Sequence, residues 1–346
     1  METNLEHKIL AYIEGHKGVS SKEVHEFVHD DSSYATVKRI LNRLQGQNLV
    51  STNGKGKATK YLLSPLYEVI KPIDLEKYFE NEIDQRFIKE HFNLELSRDT
   101  LRHNSVFSEE ELVLLQNTQN QYLQNIAQLS DAEFKNELER LAIDLSWKSS
   151  QIEGNTYSLL ETERLLKEKE TAAGKTKEEA VMLLNHKEAI DFIVQNPDYL
   201  TPITVSKIED IHSILIKELG VERNIRKRRV GISGTNYKPL DNEFQIREAL
   251  TVMCDVINEK EPVFEKSLLA LLLLSYIQPF SDGNKRTARI VSNAILIHYG
   301  YCPLSFRTVD SIDYKKAMLL FYEQNNLSAF KNIFIDQFEF AVRTYF

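Results

Sequence analysis

Gln278-Pro-Phe-Ser-Asp-Gly-Asn-Lys-Arg-Thr-Ala-Arg289 follows directly on the most apolar run of the chain, Leu268 to Leu274 with Tyr276 and Ile277 behind it. That run is well short of the roughly 18 residues that span a bilayer, so it reads as a buried helix, and the quoted stretch as the turn out of it. Gly283 frees the backbone to turn and Asn284 supplies an amide. The N–H groups from about Gly283 to Arg286 then converge at the start of a second helix, and such a terminus binds anions. Arg286 and Arg289, three apart, share a helix face and can fork onto neighbouring phosphate oxygens, while Asp282 offers a hard oxygen ligand for Mg²⁺. A capped helix with two solvent-facing arginines would need the same residue types. The ordered set fits a polyphosphate and its metal.

The rest of the chain supports a mainly helical fold. It has 346 residues, 42% hydrophobic and 27% charged, with 12 Gly and 8 Pro, which are few for an all-β or loop-rich protein of this length. Helical spacing of apolar residues predicts helices near 77–91, 108–127, 131–155, 161–171, 178–195, 204–219, 244–258, 265–277, 311–325 and 327–344. Arg229-Val-Gly-Ile-Ser-Gly-Thr-Asn-Tyr-Lys238 alternates and is rich in Gly, which predicts a β-hairpin. Only Cys254 and Cys302 are present, and no charged-then-apolar leader opens the chain, so a cytoplasmic protein without disulfides or a membrane segment is expected.

Residues 1–64 have a different organisation. Leu5, Ile9, Leu10 and Ile13 mark one amphipathic helix; Ser20 or Ser21 can cap a second, and Ser32 or Ser33 a third carrying Val37, Ile40, Leu41 and Leu44 inward. Strands at 49–51 and 59–62 then flank Asn53-Gly-Lys-Gly-Lys57. The pattern resembles a winged helix-turn-helix. Lys38, Arg39, Arg43, Lys55, Lys57 and Lys60 fall between Ser32 and Tyr67, where there is no Asp or Glu, so the net charge of −8 conceals a local basic stretch. Such domains also dock proteins, and wing lysines can be merely solvated. If the partner is DNA, the side chains to meet it are Tyr34, Thr36, Lys38, Arg39, Lys55 and Lys57. Residues 65–130 read as a helical linker region, and 131–346 as the main domain.

The order Pro279-Phe280-x-Asp282-Gly283-Asn284-x-Arg286-x-x-Arg289 resembles the signature of the Fic (Fic/DOC) family, whose founding activity is transfer of AMP from ATP to a protein hydroxyl. Ser149-x-x-x-Glu153-Gly154 resembles that family's inhibitory motif. Val230-Gly231-Ile232-Ser233-Gly234 resembles its target-positioning flap, and Ile211-His212-x-x-Leu215 a recurrent helix start. The resemblance covers about residues 100–346. It implies an all-helical core with ATP and Mg²⁺ as ligands and a protein, the chain itself included, as target. Asp282 would hold Mg²⁺, Asn284 and the loop amides the α-phosphate, Arg286 the β-phosphate and Arg289 the γ-phosphate, with Gly283 and Lys285 completing the loop. Glu153, on a helix of about 131–155, would pair with Arg289 as a brake. A symmetric homodimer is a default expectation.

Two positions depart from that signature. The family's loop begins with His, the general base for the attacking hydroxyl, and here position 278 is Gln. A carboxamide can hydrogen-bond a hydroxyl but cannot accept its proton near neutral pH, so about 10²- to 10⁴-fold of rate should be missing. A nucleotide-sensing DNA-binding regulator with a dead base, and an otherwise active enzyme with one changed residue, both fit. Lys285 replaces the usual Gly of AMP-transferring members and resembles the Doc branch, in which the γ-phosphate is transferred and the protein is a kinase. Gly283 and Arg289 match the AMP-transferring pattern better.

Overall fold

The computed structural model describes residues 2–346, leaving out the side chains of Glu2, Thr3 and Lys57. It divides into two compact units, one closing at Pro72 and one spanning Ile73–Phe346.

In the first unit, α1 (Glu2–Glu14), α2 (Ser21–Phe27) and α3 (Tyr34–Gly46) pack around Ile9, Val24, Val37, Leu41 and Leu44. Ser20 opens α2 through a capping box with Glu23, and Ser33 caps α3 by accepting from the Thr36 N–H (3.3 Å). The antiparallel pair β1 (Val50–Asn53) and β2 (Lys60–Leu63) runs in register from Val50 opposite Leu63 to Asn53 opposite Lys60. Each strand starts one residue later than the alternation suggests. Pro65, expected to open a linker, instead occupies the first turn of α4 (Pro65–Ile70), capped by Ser64 and burying Leu66 and Val69. The unit therefore extends past residue 64.

The second unit is all-helical. After α5 (Leu75–Phe79) come α6 (Glu109–Ile126), α7 (Asp131–Ile152), α8 (Leu159–Glu168), α9 (Lys177–Gln195), α10 (Val205–Leu215), α11 (Glu243–Glu259), α12 (Val263–Ile277), α13 (Asn284–His298), α14 (Ser311–Gln324) and α15 (Ser328–Tyr345). Every residue of α12 from Phe264 onward is buried, as expected of a helix apolar all round. It packs chiefly on α13, with α7, α9 and α10 closing over the other side of α13. That arrangement places α13, which the turn opens, against α12, α7, α9 and α10. Among the described residues no helix is long and apolar enough to cross a membrane. Both cysteines are free and buried.

Two expected elements form differently. The helix expected at 77–91 is limited to α5 and a short 3₁₀ turn at Ile83–Gln85. The remainder is extended, because tertiary bonds hold its backbone: Lys89 N–H donates to Glu323 O (2.8 Å) and Glu90 O accepts from Lys238 N–H (2.7 Å). The β-hairpin expected at 229–238 has no ladder: among the described residues the only sheet is β1–β2. Its polar groups bond outward instead, Gly234 O to Arg86 (2.8 Å) and the Tyr237 hydroxyl to Tyr276 O (3.0 Å). The alternation in that sequence marks an extended segment seated on neighbours, not one folded on itself.

A candidate nucleotide site

Gln278 leaves α12 with φ 51° and ψ 57°. A left-handed backbone costs a side-chain-bearing residue about 1–2 kcal/mol, so it must be held. Gln278 N–H donates to Leu274 O (3.2 Å), and the Arg226 Nε donates to Gln278 O (2.7 Å). The buried carboxamide donates through Nε2 to Ser275 O (2.6 Å) and faces the Tyr322 hydroxyl at 3.4 Å. Arg226 is the functional residue that the sequence reading missed. Its guanidinium also donates to Arg228 O (2.9 Å) and Leu240 O (2.5 Å), tying the loop's first residue to both ends of the flap segment. It lies in the basic run Arg223–Arg229, where one buried arginine among solvated ones has no distinguishing sequence signal.

Asn284 and Phe280 exchange two hydrogen bonds, Phe280 N–H to Oδ1 and Nδ2 to Phe280 O, both 2.8 Å. The Asn284 carboxamide thus closes the loop; the group left for an anion is its backbone N–H. Gly283 sits at φ 79°, where an added Cβ would meet Ile216, Arg286 and His212 at 3.4–3.5 Å. The first helical bond of α13 is Thr287 N–H to Gly283 O (2.9 Å), so the preceding amides have no partner in the helix.

His212, on α10, braces this turn from below. Its ring stacks on Phe280 at 3.6 Å and 4°, and Nε2 lies 3.0 Å from Asp282 O. Burial pushes its pKa down to about 4, so the ring is neutral and donates one hydrogen bond, to Asp282 O as the shorter contact. His212→Ala is expected to lower stability by about 2–3 kcal/mol, through the lost ring and an orphaned carbonyl. Urea unfolding measures this; a loss below about 0.5 kcal/mol would mean the turn holds itself.

Neither arginine faces solvent. Arg286 is buried, with Nη2 on Asp282 Oδ2 (3.1 Å) and Nη1 near Leu215 O (3.4 Å), and burial lowers its pKa. Arg289 is fully buried and donates three bonds to the C-terminal end of α7 and its cap: Nε to Ser149 Oγ (2.8 Å), Nη2 to Ser149 O (3.0 Å) and Nη2 to Glu153 Oε1 (2.8 Å). Ser149 and Glu153, four apart, reach one guanidinium because they lie on one face of the helix. Gly154 then turns the chain at φ 100°. The second carboxylate oxygen of Glu153 lies 3.6 Å from the Lys285 Nζ. Burial alone would raise the Glu153 pKa, but Arg289 and then Lys285 outweigh it and hold the carboxyl below its usual range.

Asp282 is the exposed member, its side chain 64% accessible. Its Oδ1 accepts from Gly283 N–H (2.6 Å). No cluster of three or more His, Cys, Asp or Glu able to hold a metal occurs among the described residues. A single accessible carboxylate is nonetheless enough for Mg²⁺ that arrives on a polyphosphate and keeps most of its water. The expected flap residues Val230 to Gly234 are exposed or half-exposed.

In the first unit, Tyr34 is exposed with its hydroxyl on Ser21 Oγ (2.9 Å), and the Thr36 hydroxyl bonds Ser33 (3.0 Å). Lys38 is half-buried over Tyr61, whereas Arg39 and Lys55 are exposed; the Lys57 side chain lies outside the described residues. Two of the six local cations are neutralised from other helices, Arg43 by Glu6 (2.5 Å) and Lys60 by Glu23 (2.8 Å). Counting charge along the sequence overstates the basic face by at least those two.

Residues 202–296 match the Fic/DOC family, and residues 2–94 the penicillinase repressor family. The chain carries a Fic/DOC domain behind a winged-helix domain. It is similar to the protein adenylyltransferase Fic of Nematostella vectensis, 30% identical over 176 residues, and to the protein adenylyltransferase fic-1 of Caenorhabditis elegans, 27% identical over 161. These matches take in 49% and 44% of this chain, and 40% and 31% of those proteins, so the chain spans well under half of its curated relatives. A solved fragment of C. elegans Fic-1 shares the fold with TM-score 0.60 at 20% identity, covering 68% of this chain and 72% of that one. A Fic-domain signaling protein from Bacteroides thetaiotaomicron does so with TM-score 0.57 at 20% identity, covering 66% and 94%.

Proposed function

We propose that the Fic domain binds ATP with Mg²⁺ along Asp282 to Arg289 and transfers AMP to a Tyr, Thr or Ser hydroxyl of a protein, with Glu153 as its brake and Gln278 as the reason for a low rate. The observation that carries this reading is the buried Arg289 at the loop's end, whose partner is the removable carboxylate of Glu153 (2.8 Å). A phosphate competes for such a guanidinium on equal chemical terms. In the reaction the hydroxyl oxygen attacks the α-phosphorus, the bond to the bridging oxygen breaks, and pyrophosphate leaves with that electron pair. Arg286, Arg289 and the first amides of α13 spread the charge. Asp282 would hold Mg²⁺, which neutralises phosphate charge when bound. The hydroxyl proton has no acceptor at Gln278, so it passes to water or to a phosphate oxygen of the nucleotide.

Calorimetry with ATP and Mg²⁺ followed by intact-mass measurement tests this. Binding is expected, with little or no adduct on the native chain; an AMP adduct marks AMP transfer and a phosphate adduct the Doc-like reaction. Absence of binding with ATP, GTP and UTP, even in Glu153→Gly, would defeat the reading.

Gln278 itself favours a second reading, in which the nucleotide site senses rather than reacts and regulates DNA binding by the winged helix. Arg39 and Lys55 on the exposed side of α3 and the wing suit phosphate contact. Replacing Lys55 and Lys57 together by Ala is expected to flatten the slope of log affinity against log salt by about 2. A native slope near zero would exclude DNA phosphates as the partner.

A further inference from the structure

Glu153 does not sit on Arg289 alone. Its Oε1 is 2.8 Å from Arg289 Nη2 and its Oε2 3.6 Å from Lys285 Nζ, so each carboxylate oxygen faces its own cation. Arg286 makes no hydrogen bond with Glu153 and only adds to its electrostatic hold after Arg289 and Lys285, its own donors being engaged with Asp282 and Leu215 O. Lys285 is the position at which the loop departs from the AMP-transferring pattern, and its side chain is 24% exposed, open enough to follow an incoming anion.

We infer that Lys285 and Arg289 form one clamp for the terminal phosphate of a nucleoside triphosphate, and that Lys285 thereby makes the site select triphosphates over di- and monophosphates. The inference rests on the nucleotide reading above. A carboxylate and a terminal phosphate each present two oxygens from one centre, so a guanidinium and an ammonium that bracket the first will bracket the second. Arginine supplies the directional bonds and lysine a mobile point charge. While Glu153 occupies the clamp, only the outermost phosphate is excluded; a di- or monophosphate needs neither cation. The bland alternative is that Lys285 is a solvated lysine that happens to neutralise Glu153.

The affinities of ATP, ADP and AMP, each with Mg²⁺, separate the two. They are to be measured for the native chain, Glu153→Gly, Lys285→Met and the double variant. With Glu153 removed, Lys285→Met is expected to weaken ATP about tenfold or more, the size of one charge-assisted hydrogen bond, and AMP by less than about twofold. Lys285→Arg should restore most of the ATP affinity. With Glu153 present, Lys285→Met loosens the brake as well as the clamp, so its net effect on ATP is expected within about threefold. If Glu153→Gly binds ATP but Lys285→Met weakens ATP and AMP alike, or neither, the clamp is overturned while the nucleotide site stands. If Glu153→Gly binds none of the three, both fall.

Discussion

Gln278→His combined with Glu153→Gly is expected to make the chain label itself from ATP, at a rate about 10²- to 10⁴-fold above Glu153→Gly alone. Two separate obstacles are removed. Glu153 holds Arg289 and Lys285 in the space assigned to the terminal phosphate, so its loss allows ATP to lie in a productive pose. Gln278 leaves the attacking hydroxyl without a base, and an imidazole at that position supplies one. The backbone there is already suited: it is fixed at φ 51° by Arg226 and Leu274, and neither bond involves the side chain. The Tyr322 hydroxyl, now 3.4 Å from Nε2, would lie beside the new ring. Transfer of label from ATP, followed by intact mass, reads the result. Gln278→His alone should remain near background because the brake persists. A double variant that binds ATP yet stays silent would place the defect elsewhere than the base.

The sequence revealed most where residue types are tied to position by chemistry. The loop from Asp282 to Arg289 is legible because a left-handed Gly, a capping amide and two arginines at helical spacing have few other uses together. The winged helix is legible from its capped helices and the Gly-rich turn between β-forming runs. Legibility fails where a tertiary partner decides. Residues 77–91 have helix-compatible composition, yet Lys89 and Glu90 bond to Glu323 and Lys238, which no local pattern announces. The flap alternates like a hairpin and pairs with neither of its own halves. Arg226 is the sharpest case: its buried guanidinium ties Gln278 O to Arg228 O and Leu240 O, and in sequence it is one of several basic residues. Burial of Arg286 and Arg289 also could not be read, although it changes their meaning from surface charges to preorganised donors.

Arg289→Leu is expected to destabilise the second unit by about 3 kcal/mol and to remove the advantage of ATP over ADP in binding. Removing one member of a buried ion pair strands the other, at about 3–5 kcal/mol. The low end applies because Glu153 is 22% exposed and keeps Lys285 nearby. Ser149 loses both contacts as well, although its hydroxyl can turn to another acceptor. The pH dependence identifies the source of the loss. In the native chain the Glu153 carboxyl is depressed, so its stabilising contribution is full above the unfolded carboxylate range and disappears as pH falls through the folded value. In Arg289→Leu, burial with a weaker counter-charge pushes that carboxyl upward, which destabilises at neutral pH and ceases to matter once the group is protonated. The gap between native and variant is therefore widest at pH 7 and narrows toward pH 4. Urea unfolding at both values measures it. A gap that does not change with pH would assign the loss to the Ser149 contacts and to packing, not to the pairing with Glu153. Adding Glu153→Gln to Arg289→Leu should recover about 1 kcal/mol at pH 7 and nothing at low pH, since an amide there differs little from a protonated acid.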